Sequence, residues 1–294
     1  MFTLGVISDE ISQDPERILA VAKDYPRLRG VEPRSVWDKG LPVLTDEEAR
    51  HLREMLDDAD MRVVCLAAPF FKCDLGNKEQ YAQHLEYLRR FADLAHMWDC
   101  QIIRGFTFWK TGPAQQVWQQ LLDAFEEPVE ILEREDVYLG IENEASTHLA
   151  TAREAAAFYQ DLNHPRVRAI WDTANEVFAP EGELPFPDAW ERMKPWVIHV
   201  HLKDAVKDPA APDGARCVPI GEGGYVDFPG QFKALAEMGY EGACSLETHW
   251  RPTTDLDTDL LNRPGGAAFS EGGEEASRIC LANIERILGG LGTE

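Results

Sequence analysis

The chain has 294 residues, of which 44% are hydrophobic, enough to bury a sizeable core. No run of about 18 apolar residues is present, so no membrane span or membrane partner is expected. Against 29 basic side chains stand 52 acidic ones, and the resulting net charge of −23 repels polyanions; nucleic acid is therefore not an expected partner.

The N-terminus, Met1-Phe2-Thr3-Leu4, has neither the basic region nor the apolar stretch of a secretion signal, and a cytoplasmic location is expected. Short apolar runs then alternate with segments of helical period. This is the rhythm of repeated strand–helix units on a parallel sheet. Strands are predicted at Leu4–Ile7, Arg29–Glu32, Arg62–Leu66, Gln101–Arg104, Val137–Glu142, Arg168–Asp172, Val197–His201 and Ala243–Glu247. Amphipathic helices are predicted between them, as at Asp46–Asp58 and Glu79–Met97, and a last helix over Glu274–Leu288. Eight parallel strands closed on themselves leave no edge to protect, so the fold class is α/β, a (β/α)8 barrel forming one domain over residues 1–294. Two long loops, Asp208–Ala215 and Arg251–Gly273, follow the last two strands, on the side where barrels place their sites. The six cysteines show no C-x-x-C spacing and read as reduced, packed thiols.

Side chains alternate inward and outward along a strand, so the last inward residue points into the barrel mouth. In the last four strands this rule selects Glu142, Asp172, His201 and Glu247, with His199 one layer below His201. Three carboxylates and an imidazole converging in a dry place repel one another unless a cation joins them. One divalent metal ion is therefore expected on these four residues. The oxygen-rich set suits Mn²⁺ first, then Mg²⁺ or Co²⁺, with Zn²⁺ also compatible. Aromatic residues Trp37, Phe70, Phe71, Phe106, Phe108 and Trp109 fall in the predicted upper loops, where they can wall a sugar site or cover the mouth. Gly221, Gly223 and Gly224 form a cluster whose N–H groups suggest, weakly, a phosphate loop.

Several stretches together resemble a known family: Val31-Glu32-Pro33-Arg34-Ser35-Val36-Trp37, Ile141-Glu142-Asn143-Glu144, Trp171-Asp172-Thr173-Ala174-Asn175, His199-Val200-His201-Leu202-Lys203-Asp204, the run from Pro219 to Phe228, and Met238-Gly239-Tyr240-Glu241-Gly242 leading to Glu247. The chain is similar to the xylose isomerase-like TIM barrel superfamily, which includes ketose 3-epimerases, inosose dehydratase and endonuclease IV. The resemblance implies a small-molecule sugar substrate and a metal-dependent isomerase or epimerase working through an enediolate, with Glu142 and Glu247 as metal ligands that are also the acid/base pair. It also implies substrate-binding roles for His148, Asn175 and a basic residue after the His-x-His strand, for which Lys203, Lys207 and Arg216 are the alternatives, while Trp37 is a substrate-binding candidate by its place in the upper loops. The chain departs from the epimerases at two of these places: Asn175 stands for a histidine and His148 for an acid, and an amide does not exchange protons as imidazole does.

Three other readings follow from the same scaffold. A lyase or dehydratase would expel a β-substituent from the enolate of a keto-sugar, keto-inositol or keto-glycoside. A nuclease needs more strand-end histidines than Ala67-Ala68-Pro69 and the rest supply, and the charge opposes it. A binding protein would not need two carboxylates flanking a metal. Assembly into a homo-oligomer is compatible with the sequence.

Overall fold

The computed structural model describes residues 2–254 and 256–292; residues 1, 255, 293 and 294, at the ends of the expected domain and in its long final loop, lie outside them. The strands are β1 (Thr3–Ile7), β2 (Leu28–Glu32), β3 (Arg62–Val63), β4 (Leu66–Phe70), β5 (Ile102–Gly105), β6 (Tyr138–Glu142), β7 (Val167–Asp172), β8 (Val197–Leu202) and β9 (Ala243–Leu246). They form one parallel sheet in the order β3-β2-β1-β9-β8-β7-β6-β5-β4. The two ends of that order are adjacent pieces of chain. The Val64 N–H donates to Val31 O and the Ala67 N–H to Pro33 O, both at 3.0 Å, and the barrel closes there.

This seam corrects the expected continuous strand Arg62–Leu66. Its cause lies in the barrel floor, where Gly5 and Gly30 face Val64. A Cβ on Gly30 would lie 2.8 Å from Val64 Cγ1, and one on Gly5 3.2 Å from Val64 Cγ2. The Val64 side chain fills the space that the two glycines leave. On the opposite side Gly140 plays the same part for Ile170, whose Cγ1 would lie 2.6 Å from an added Cβ.

The main helices are α1 (Pro15–Asp24), α2 (Asp46–Asp58), α3 (Lys78–Met97), α4 (Glu126–Arg134), α5 (Ala152–Leu162), α6 (Trp190–Met193), α7 (Phe228–Glu237) and α8 (Gly273–Gly290), with further short helical segments between them. Their starts are written locally. Thr45 with Glu48, and Thr151 with Glu154, make reciprocal capping boxes, while Asp14 and Asp227 cap α1 and α7. Outward-facing strand residues meet the helices in one core, with Leu139, Ile141, Trp171, Val200 and Leu246 all buried. The polar ends of its aromatics are satisfied: Trp98 Nε1 donates to Ala49 O at 2.9 Å, Trp171 Nε1 to Gln231 Oε1 at 3.1 Å and Tyr159 OH to Ile141 O at 2.8 Å. All six cysteines are free thiols.

The two long loops carry more structure than expected. Residues Asp204–Lys207 and Ala215–Val218 pair as an antiparallel hairpin whose tip is the first loop. The second loop includes two short helices, Thr258–Asn262 and Gly266–Ser270. No helix among the described residues is long and apolar enough to cross a membrane.

Candidate metal centre

The inward alternation holds on every strand that reaches the site. Glu142 ends β6 and Asp172 ends β7; His201 lies on β8 and Glu247 follows β9, its N–H still pairing with Leu202 O at 3.0 Å. One ligand atom from each of the four can be chosen so that all lie within 4.8 Å of one another, and all four residues are buried. Such separations suit the coordination sphere of one small cation.

The hydrogen bonds show which atoms are held and which are left open. Asp172 Oδ1 accepts the N–H groups of Ala174 and Asn175, both at 2.9 Å, while Oδ2 is buried without a hydrogen bond. The Lys203 ammonium stands 2.9 Å from that oxygen, outside the hydrogen-bonding direction. His201 Nε2 is 3.2 Å from both oxygens of Glu32, leaving Nδ1 without a partner, 3.6 Å from Glu142 Oε2 and 3.5 Å from Glu247 Oε2. A carboxylate behind the imidazole holds Nε2 and turns Nδ1 toward the acids, the usual support of a metal-bound histidine. His199, expected to be a hydrogen-bonded histidine one layer down, is 2.8 Å from the same Glu32.

Charge bookkeeping points the same way. Six buried carboxylates (Asp9, Glu10, Glu32, Glu142, Asp172 and Glu247) face four buried cations, Arg34, Arg104, Lys203 and Arg251. The acids outnumber the cations, an excess that a bound divalent ion would reduce. Burial pushes Asp172 up to about 7, with Lys203 opposing and Glu142 and Glu247 adding to the rise. Burial alone would lower His201, but Glu32 and Glu142 outweigh it and hold the imidazole well above its usual range, a demand for positive charge at this position. The residues present fit a divalent cation.

The two glutamates are unequal. Glu142 accepts from Asn175 Nδ2 at 3.1 Å and from Arg104 Nη1 at 3.2 Å. Glu247 meets Arg34 at 2.8 Å, Lys203 at 3.2 Å, Arg104 at 3.4 Å and His249 at 3.4 Å. Burial would raise Glu247, but Lys203, His249 and His201 hold it well below the ordinary carboxylate range. Glu142 is lowered as well: burial and Glu247 raise it, and His201 with Arg104 prevails.

A profile of the family described as "Xylose isomerase-like TIM barrel" matches residues 19–272. The chain belongs to this family. Among curated relatives, an inosose dehydratase from Serratia proteamaculans is 24% identical over 224 residues, 68% of this chain and 74% of its own. The chain matches only 50% of a second inosose dehydratase, from Klebsiella pneumoniae, again at 24% identity. Solved structures share the fold. A D-psicose 3-epimerase from Clostridium cellulolyticum H10 superposes with a TM-score of 0.72 at 14% identity, covering 98% of this chain and 99% of its own. The IOLI protein, solved with a zinc atom, gives 0.74 at 14% identity, with both chains covered in full.

In this family member the other expected site residues divide. Asn175 and Lys203 touch the acids directly and line a cavity of about 390 Å³, together with His249, Glu144, Phe178 and Cys217. His148 is buried with both ring nitrogens unpartnered, and its backbone N–H donates to Phe108 O at 3.3 Å; no described contact joins it to the four ligands. Arg216 is half exposed and pairs with Asp208 at 3.1 Å within the hairpin, and Lys207 Nζ donates to Ala179 O at 3.3 Å. Trp37 stacks on His51 at 5.8 Å. Phe70, Phe71 and Phe108 are buried and stack on one another instead of lining the mouth. The glycine cluster is occupied too: Gly221 and Val226 give their N–H groups to Asp204, and a Cβ on Gly224 would collide with that carboxylate.

Sequence reasoning passed over Glu32, Arg34, Arg104 and His249. The alternation rule reaches Glu32, which follows Gly30 inward, and Arg104, which follows Ile102, whereas Arg34 and His249 lie beyond their strand ends and His249 has a left-handed φ of 46°. Seeking only metal ligands left the cations out.

Proposed function

We propose that the chain is a divalent-metal-dependent enzyme that removes a proton from the carbon beside the ketone of a sugar or cyclitol. We further propose that it completes the reaction by expelling the β-hydroxyl as water. The observation behind this reading is the inequality of the two glutamates. Glu142, with Arg104, His201 and the Asn175 amide for neighbours, is the base. Glu247, crowded by Arg34, Arg104, Lys203, His249 and His201, holds the metal and is a poor proton acceptor.

Manganese is the proposed ion, given the oxygen-rich donor set. When bound, it would draw electrons from the ketone oxygen and ease removal of the neighbouring proton. The chain's own residues do the rest. Asn175 steadies Glu142 through its Nδ2 donor and lines the cavity where substrate hydroxyls would lie. In the elimination the C–H electrons form the carbon–carbon double bond as the C–O bond breaks, and the departing hydroxyl takes a proton from the Lys203–His249 side to leave as water. The inosose dehydratases among the relatives support this outcome.

Isomerisation or epimerisation, in which the proton returns to carbon, is the second reading. It is favoured by the adjacency of Glu142 and Glu247 around one set of ligands and by the epimerase among the similar folds. Incubation with Mn²⁺ and a panel of inososes, ketoses and 3-keto-glycosides in heavy water separates the two. Dehydration gives a product lighter by one water, whereas epimerisation gives an isomer carrying deuterium at the reacting carbon. Unlabelled isomer would contradict both.

A further inference from the structure

The chain is strongly acidic, yet one cavity of about 420 Å³ beside the centre is lined by Arg34, Lys72, Arg104 and Arg263 against one carboxylate, Asp38. Two of these cations are spent. Arg34 binds Asp9, Glu10 and Glu247, and Arg104 binds Glu142, Glu247 and the carbonyls of Ala67 and Ala68. They mark where this cavity meets the candidate metal ligands.

Lys72 and Arg263 are differently placed. The Lys72 side chain is only 8% exposed, and its ammonium donates to Asn262 O at 2.9 Å, with Glu144 Oε2 at a long 3.4 Å. Otherwise it faces aromatic surface: the Phe106 centroid lies 4.3 Å away, and the same ring has Arg104 at 5.1 Å. The Arg263 guanidinium lies 5.5 Å from the Trp109 centroid, with Lys72 5.7 Å from that ring. Among the described residues no carboxylate pairs with Arg263. Aromatic faces offset a cation less completely than an anion does. Burial lowers the Lys72 ammonium from its usual pKa, with Glu144 opposing and Arg104 adding to the fall.

We propose that this cavity receives an anionic group of the substrate, a phosphate or a carboxylate, held between Lys72 and Arg263. The proposal rests on the reading of the substrate as a polyhydroxylated ketone and adds a charged end to it. An overall field of −23 repels such a molecule, so a local cationic pocket is what would admit it. Arginine supplies two parallel donors to either anion and lysine a point charge.

Matched probes test this without turnover: glycerol, glycerate and glycerol 3-phosphate are titrated calorimetrically into Mn²⁺-loaded protein at fixed ionic strength. At least one anion is expected to bind about tenfold or more tighter than glycerol, and whether phosphate or carboxylate wins names the source. Lys72→Met and Arg263→Met should each weaken that anion about tenfold, with metal content and circular dichroism unchanged, and Lys72→Arg should retain it. Equal binding of all three probes overturns the proposal. So does an anion affinity that neither Met variant alters, since the anion would then sit on the metal. Because no reaction is followed, failure here is distinct from failure of the heavy-water experiment.

Discussion

The barrel mouth has two unlike halves. The half built by β6 to β9 supplies the four candidate ligands, one per strand end, and opens onto a cavity lined by Asn175, Lys203 and His249. The half built by β1 to β5 supplies Glu32, Arg34 and Arg104, whose side chains reach those ligands, and Asp9 and Glu10, which pair with Arg34. One half presents unsatisfied atoms and the other satisfies what remains. Arg34 and Arg104 offset part of the charge that the buried ligand carboxylates bring together.

The largest expected effect attacks the first half at its proposed base. Glu142→Gln should lower turnover by about 10³-fold or more while the fold survives, checked by steady-state kinetics with metal content measured alongside. Near-normal turnover at full metal content would move the base elsewhere. Next, Arg104→Met attacks the second half by leaving Glu142 and Glu247 short of a cation. In metal-free protein the loss should be about 3–5 kcal/mol by urea unfolding, and Mn²⁺ should narrow the gap to wild type. An unchanged gap would separate the two halves energetically.

A smaller effect probes the support of the second half, where the Phe71 N–H donates to His84 Nδ1 at 2.9 Å and Phe71 holds a left-handed φ of 62°. Burial lowers His84 to about 4. Between about 6.5 and 4 the unfolded chain binds a proton that the folded chain refuses, so this contribution is full above pH 6.5 and is lost as pH falls. The slope is at most about 1.4 kcal/mol per pH unit, and His84→Gln should flatten it in unfolding measured at pH 7 and pH 5. Identical slopes would remove His84 from the account. The smallest effect is on the rim: Arg216→Ala breaks an exposed pair and should cost under about 1 kcal/mol with turnover intact. A large loss of turnover would return Arg216 to the substrate.

The halves also differ in how far they can be read from sequence. Glu142, Asp172, His201 and Glu247 are legible because each closes an apolar run on the inward phase of an alternation with period two. The helix Asp46–Asp58 is legible to the residue because Thr45 and Glu48 write its start. Arg104 satisfies the same alternation, but its meaning depends on carboxylates more than 35 residues away, 38 to Glu142. The break at Val64 depends on Gly5 and Gly30 across the barrel floor, which no local pattern announces. The packing of Phe71 is unreadable for a similar reason: it packs on its neighbour Phe70, on Phe108 from the loop after β5 and on Phe125 at the start of α4.

The metal centre itself is tested most directly by equilibrium dialysis against Mn²⁺ followed by elemental analysis, on the wild type, Asp172→Asn and His201→Asn. The account predicts one ion per chain in the wild type and a fall to a small fraction in both variants, each with an unchanged circular dichroism spectrum. One ion per chain in all three would contradict it.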